Sequence, residues 1–149
     1  MEVVHTQVLV LGSGTAGSNA ARAAVAAGAE SVVLVQSRKL INTCVEEGCM
    51  PSKSVLAGAH QHETVQKILD TRDEHIVRLR TALTTDLDSE NFTIISGEAR
   101  FLDAHTVHIT DGDTDTHYNA DAIVIATGAE PFVPPVPGFT DLSRGIELL

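Results

Sequence analysis

Val3 to Leu11 is rich in β-branched residues and leucine and meets no turn residue until Gly12, which predicts a strand buried on both faces. Thr15 to Ala27 is mostly alanine and free of proline, so it predicts a helix that Gly28 ends. Ser31 to Val35 predicts a second buried strand. The strand, helix, strand unit over residues 3–35 places that strand parallel to the first. Gly48 to about His62 reads as a helix with Pro51 in its first turn, where a missing N–H costs nothing. From Thr64 to Leu87, the residues Val65, Ile68, Leu69, Ile76, Leu79 and Leu83 recur mostly at three- and four-residue spacings, the stripe of an amphipathic helix.

Beyond it, Phe92 to Ile95, Ala99 to Phe101 and Thr106 to Ile109 predict short antiparallel strands, with Asp111-Gly112-Asp113 as a turn. Ala122 to Ala126 predicts a last buried strand running into Thr127-Gly128. Glu130 to Gly138 holds four of the five prolines, the composition of a linker, and the chain stops 11 residues later. That ending reads as a cut through a longer protein where a second domain would begin. The fold class expected is α/β, with a central parallel sheet and a small antiparallel β-meander.

Composition narrows the function. With 149 residues and 43% hydrophobic side chains, the chain suits one domain with a proper core and is short for two. A formal charge of −10 with no Lys/Arg cluster argues against a nucleic-acid partner. The apolar runs fall far below the ~18 residues of a membrane span, so no membrane partner is expected. The start, MEVVHTQ, lacks the basic region and apolar stretch of a secretory signal, which makes a cytoplasmic location the default.

Gly12-Ser13-Gly14-Thr15-Ala16-Gly17 matches G-x-G-x-x-G between a buried strand and an alanine-rich helix, the context a dinucleotide fingerprint requires. The first glycine allows the turn, the second lets a pyrophosphate approach the backbone, and the third lets helix pack on strand. The helix N-terminus then offers unpaired N–H groups to the phosphates. At the end of the second strand, where an acid usually accepts ribose hydrogen bonds, stands Gln36; Arg38 could favour a 2′-phosphate, so this stretch alone leans toward NADP.

The only cysteines, Cys44 and Cys49, lie in TCVEEGCMPSK. Zinc needs about four ligands, and the nearby His60 and His62 are two apart, on different faces of a helix. A disulfide needs Cα atoms ~4.4 to 6.8 Å apart, whereas five helical steps rise ~7.5 Å, so the segment must bend. Gly48 can provide the bend, and Met50 should be pushed out of helical angles by Pro51. Cys49 then sits near a helix N-terminus, where thiolate is favoured, with Lys53 one turn further. Those features argue for a redox dithiol over a metal site or two inert thiols.

TCVEEGCMPSK resembles the redox-active stretch of the class I pyridine nucleotide-disulfide oxidoreductases, the family of dihydrolipoyl dehydrogenase, glutathione reductase and mercuric reductase. The resemblance continues through Gly97-Glu98-Ala99-Arg100-Phe101 and Ala126-Thr127-Gly128, and so covers essentially the whole chain. It implies that residues 1–138 are the family's N-terminal, Rossmann-like FAD-binding domain, with 139–149 starting the connection to an NAD(P)-binding domain outside this chain. FAD then replaces NADP as the expected ligand.

The resemblance further implies that Cys49 faces the flavin as the charge-transfer thiolate, that Cys44 exchanges with a substrate disulfide or binds a soft metal ion, and that Lys53 lies near the reactive flavin nitrogen. Gly12, Gly14 and Gly17, with Thr15 and Ala16, would hold the pyrophosphate, Gln36 the adenosine ribose, Ala99 the adenine side and Thr127-Gly128 the flavin end. Ser37, Thr43, Cys44 and Lys53 also count as cofactor-binding. Electrons would pass between NAD(P)H, FAD, the Cys44–Cys49 disulfide and a small disulfide or dithiol such as lipoamide. The complete protein would be a homodimer, and this chain alone would not turn over.

Gln36 replaces the family's usual acid, Ile41-Asn42 stand where small residues are common, and Glu46 and Glu47 place negative charge beside the sulfurs, unless both are simply solvated. A dihydrolipoyl dehydrogenase-like enzyme leads. A mercuric reductase, another disulfide reductase, and a non-catalytic dinucleotide-binding or redox-sensing module are the alternatives.

Overall fold

The computed structural model of the protein describes residues 3–36, 42–88, 90–112, 114–129 and 132. Ser37, Arg38, Ile41 and nearly all of the proline-rich stretch and residues 139–149 lie outside that set. Strand β1 (Val3–Leu11), helix α1 (Thr15–Ala26) and strand β2 (Val32–Gln36) form the expected opening unit. β2 lies parallel to β1, with Val8 opposite Val32 and Leu11 opposite Val35. A short helix α2 (Thr43–Glu46), helix α3 (Cys49–His60) and the long helix α4 (Val65–Asp88) follow. Strands β3 (Thr93–Ser96), β4 (Glu98–Phe101), β5 (Thr106–Asp111) and β6 (Thr114–Ile125) complete the described fold.

All six strands join one sheet in the order β3-β2-β1-β6-β5-β4. Its parallel half is β3-β2-β1-β6, and β4-β5-β6 form the antiparallel meander. The fold class is therefore the expected mixed α/β one. One strand differs. The segment expected as antiparallel at Phe92–Ile95 is β3, parallel to β2 at the sheet edge with Ile94 opposite Leu34. The connection from β2 through α3 and α4 explains it, since a helical crossover returns the chain in the same direction. β6 also begins well before Ala122, because its polar first half, Thr114 to Asn119, pairs with β5.

Each sheet face carries its own core. Val10, Val32 and Leu34 pack with Ala21 of α1 and with Leu87 near the end of α4. On the other face Leu9, Leu11, Val33 and Val35 pack with Val107, Ile109 and Ala120 of the meander. Burial on both faces is why Val8 to Leu11 of β1 and the valines and leucine of β2 read as apolar runs; the first half of β1 is instead largely exposed, Val3, His5 and Gln7 included. The stripe of α4 is less completely covered than its spacing suggests: Ile68 and Leu87 are buried, but Val65 is 73% exposed.

Arg22 of α1 ties this layer together through ion pairs to Asp86 and, at 2.6 Å, to Glu90. The hydrogen bond to Glu90 is the main reason the guanidinium pKa is raised. Arg22→Gln is expected to lower unfolding free energy by at most about 1 kcal/mol, since the pair with Glu90 is partly buried while Asp86 is largely exposed and screened by solvent. Urea denaturation checks this.

Candidate functional site

The order of the parallel strands reverses at β1: the chain moves outward to β2 and β3 on one side and later returns as β6 on the other. A crevice outside the carboxyl ends of the strands is expected at such a point. There, a cleft of about 360 Å³ opens, lined at its base by Leu11, Gly12, Ser13 and Gly14 and on its flanks by Gln36, Thr43, Ala99, Thr127 and Gly128. The floor is rigid, because Gly12 N–H donates to Val35 O and Ala126 N–H to Leu11 O, both at 2.8 Å, prolonging the sheet into the turn.

The three fingerprint glycines have different physical reasons to be glycine. Gly12 has φ +107°, and a Cβ there would lie 2.3 Å from Ala126 O. A Cβ on Gly17 would lie 1.7 Å from Gly12 O, so this glycine is needed for α1 to sit on the turn. Among the described residues nothing lies within 4 Å of a Cβ on Gly14, and its backbone is ordinary extended geometry at φ −61°, ψ −177°. None of them requires a glycine at that position. Gly14 is also the N-cap of α1 and makes no side-chain cap, and no acid occupies the first turn, so the helix presents N–H groups and the positive end of its dipole at the cleft. A bare backbone beside uncapped N–H groups is a cradle for an anion that approaches closely, as a pyrophosphate does.

Gln36 closes the second strand. Its Nε2 donates to Ser96 Oγ at 3.3 Å, which fixes the amide plane at the cleft wall. Thr15, Ala16 and Gly17 form the first turn of α1 rather than the lining. Ser13, Gly97, Glu98, Ala126 and Ala129 also line the cleft without having been expected to bind the cofactor. Gly97-Glu98 lay within the stretch that carried the family resemblance, but neither had been assigned a role.

The cysteines sit on the turn that borders this cleft through Thr43. Cys49 is the first residue of α3, capped by Gly48, as the spacing suggested. Met50 is helical despite preceding Pro51, a correction to the expectation. The first turn is held closed by Ser52, whose N–H and Oγ both donate to Gly48 O, at 3.3 and 2.8 Å. Pro51 falls where an N–H would have no helical partner.

Cys44 lies in α2 and is partly buried; Cys49 is exposed, and both are free thiols. The Cys44 pKa is raised, chiefly by its hydrogen bond with the Cys49 side chain and then by burial, with Lys53 opposing. Cys44 therefore keeps its proton to higher pH than a free thiol. Since the Cys49 side chain is the largest cause, Cys49→Ala should let Cys44 alkylate at lower pH, read from the pH profile of its iodoacetamide reaction. An unchanged profile would mean the two sulfurs do not interact.

Lys53 faces a separate cavity of about 390 Å³ between α3 and α4, which also takes in Met50, Ser54, His75 and Arg78. Ser54 Oγ and His75 Nδ1 are 2.7 Å apart there and join the two helices. Asn42 and Glu46, read as departures from the family pattern, are structural. Asn42 is buried and caps α2 by accepting from Val45 N–H at 3.2 Å. Glu46 is neither solvated nor unpartnered: its carboxylate accepts from Asn42 N–H at 3.1 Å and pairs with Arg80. Among the described residues no group of three or more His, Cys, Asp or Glu could hold a metal ion, and no helix is long and apolar enough to cross a membrane.

The sequence and fold are similar to those of known proteins. The chain is 33% identical over 138 residues to the probable pyridine nucleotide-disulfide oxidoreductase RclA of Escherichia coli, covering 90% of this chain and 31% of that protein. It is 34% identical over 156 residues to mercuric reductase of Acidithiobacillus ferrooxidans, covering 90% of this chain and 28% of the relative. With dihydrolipoyl dehydrogenase of Geobacillus stearothermophilus it shares 28% identity over 149 residues, 89% of this chain and 32% of the relative. The chain thus spans about a third of the length of these relatives. A solved structure, the Cu(II) complex of the HOCl-induced flavoprotein disulfide reductase RclA from Escherichia coli, superposes with a TM-score of 0.83 at 29% identity, over 91% of this chain and 31% of that one. The family model described as pyridine nucleotide-disulphide oxidoreductase matches residues 6–148, and the chain belongs to that family.

Proposed function

We propose that this chain is the FAD-binding, dithiol-bearing part of a FAD-dependent pyridine nucleotide-disulfide oxidoreductase. The observation that carries the reading is Gly14, which none of the described residues requires to be bare, at a helix end with no side-chain cap, in a cleft that Thr43 joins to the dithiol turn. FAD, when bound, supplies two-electron chemistry between a nicotinamide and a dithiol. The first-turn N–H groups of α1, from Thr15, Ala16 and Gly17, hold the pyrophosphate beside Gly12 and Gly14. Gln36 accepts from the adenosine ribose. Ala99 lies on the adenine side and Thr127-Gly128 at the flavin end.

On oxidation Cys44 and Cys49 give up two electrons and two protons and join as a disulfide. Cys44 is the sulfur that exchanges with substrate, as its thiolate, and Cys49 is the one nearer the flavin. The substrate class is a small disulfide or dithiol of the lipoamide kind, or a soft metal ion. NAD(P)H serves through a domain outside this chain, in a homodimer. The relatives' names, a dihydrolipoyl dehydrogenase and a mercuric reductase among them, support that class.

Treating the reduced protein with oxidised glutathione and mapping its peptides tests the dithiol. The expected product is an intramolecular Cys44–Cys49 disulfide. Separate glutathione adducts on each cysteine, with no internal bond at equilibrium, would overturn the reading.

A further inference from the structure

A four-residue helix has no stability of its own, so the geometry of α2, and with it the position of Cys44, must be imposed from outside. Glu46 is where the constraints meet. Its side chain is 11% exposed, low for a carboxylate, and both oxygens are engaged: Oε1 by Asn42 N–H at 3.1 Å, Oε2 by Arg80 Nη1 at 3.5 Å. Asn42 in turn caps the same helix. Arg80 belongs to α4, the long helix that is anchored on the sheet core through Leu87.

We propose that Glu46 is a positioning residue for the dithiol, clamping the α2 turn to α4 through Arg80 so that Cys44 stays within bonding reach of Cys49. The inference rests on the dithiol reading above and adds the device that holds the pair. The largest influences on the Cys44 thiol come from Cys49, burial and Lys53. Glu47, the next residue, is exposed and provides a control of equal charge.

The readout is the equilibrium between the reduced pair with oxidised glutathione and the internal disulfide with two reduced glutathiones. It gives the effective concentration of one sulfur at the other. Glu46→Gln and Arg80→Gln should each lower it by roughly fivefold, the range of a partly screened ion pair. The double variant should be no worse than either single, Arg80→Lys should recover part of the loss, and Glu47→Gln should change nothing. Arg80 is half exposed on a helix surface, so its variants keep the test open should Glu46→Gln fold poorly.

An unchanged equilibrium in Arg80→Gln, or a merely lowered melting temperature, would overturn the clamp while leaving the dithiol standing. Equal effects from Glu46→Gln and Glu47→Gln would reduce the role to charge and overturn it too. If the unaltered protein forms no internal disulfide, the dithiol reading and the clamp both fall.

Discussion

Gly17→Ala is expected to destabilise the fold by roughly 3 kcal/mol or more, a large part of the roughly 5–15 kcal/mol that holds a domain together. Helix propensity alone predicts the opposite sign, because alanine in a helix is favoured over glycine by about 1 kcal/mol. Contact geometry decides. The added methyl would lie 1.7 Å from Gly12 O and 2.9 Å from Gly12 C, both backbone atoms of a turn pinned at each side by the sheet. No side chain can rotate away, so α1 must lift off, and Ala21 then loses its packing on Val10, Val32 and Leu34. Urea denaturation followed by circular dichroism measures the effect, and a midpoint unchanged or raised would show that the turn is not as tight as described.

Gly14→Ala should do the reverse: little to the fold, much to the ligand. The position is extended, open to a Cβ and at a helix N-cap, where the exchange costs at most about 1 kcal/mol. The methyl would stand in the cleft where a pyrophosphate meets the N–H groups of α1. FAD affinity, measured by quenching of flavin fluorescence, should fall roughly tenfold or more, the equivalent of about 1.4 kcal/mol or more. Equal FAD affinity in the two proteins would remove the argument that Gly14 is glycine for a ligand. The pair of variants separates a glycine kept for packing from one kept for binding within a single six-residue turn.

What the sequence made legible follows from how strongly each segment constrains itself. The second half of β1, α1 and β2 were readable because two-face burial and an alanine-rich helix leave little freedom, and Gly12 and Gly17 fix the turn between them. The direction of β3 was not readable, since a four-residue apolar strand carries no mark of parallel or antiparallel pairing; the crossover through α3 and α4 settles it. β6 was half visible: Ala122 to Ile125 is apolar, but Thr114 to Asn119 is polar and owes its strand geometry to pairing with β5.

At the site, Gln36, Thr43, Ala99 and Thr127 were expected beside the glycines and line the same cleft. Met50 was expected outside helical angles because Pro51 follows, and the local bonds of Ser52 override that preference. Glu46 was weighed only as a charge beside the sulfurs. The partner that gives it a role, Arg80, stands 34 positions later, and no local pattern points to it. The capping relation of Asn42 to Val45 and Glu46 was the one local signal available.

Anaerobic titration of the FAD-loaded protein with dithionite tests the central claim most directly, because a disulfide in contact with the flavin takes up electrons beyond those the flavin itself accepts. The account predicts uptake of two electrons for the flavin and two for Cys44–Cys49, with only the flavin's share left in Cys49→Ser. Uptake of the flavin's share alone by the unaltered protein, with its disulfide still intact at the end, would contradict it.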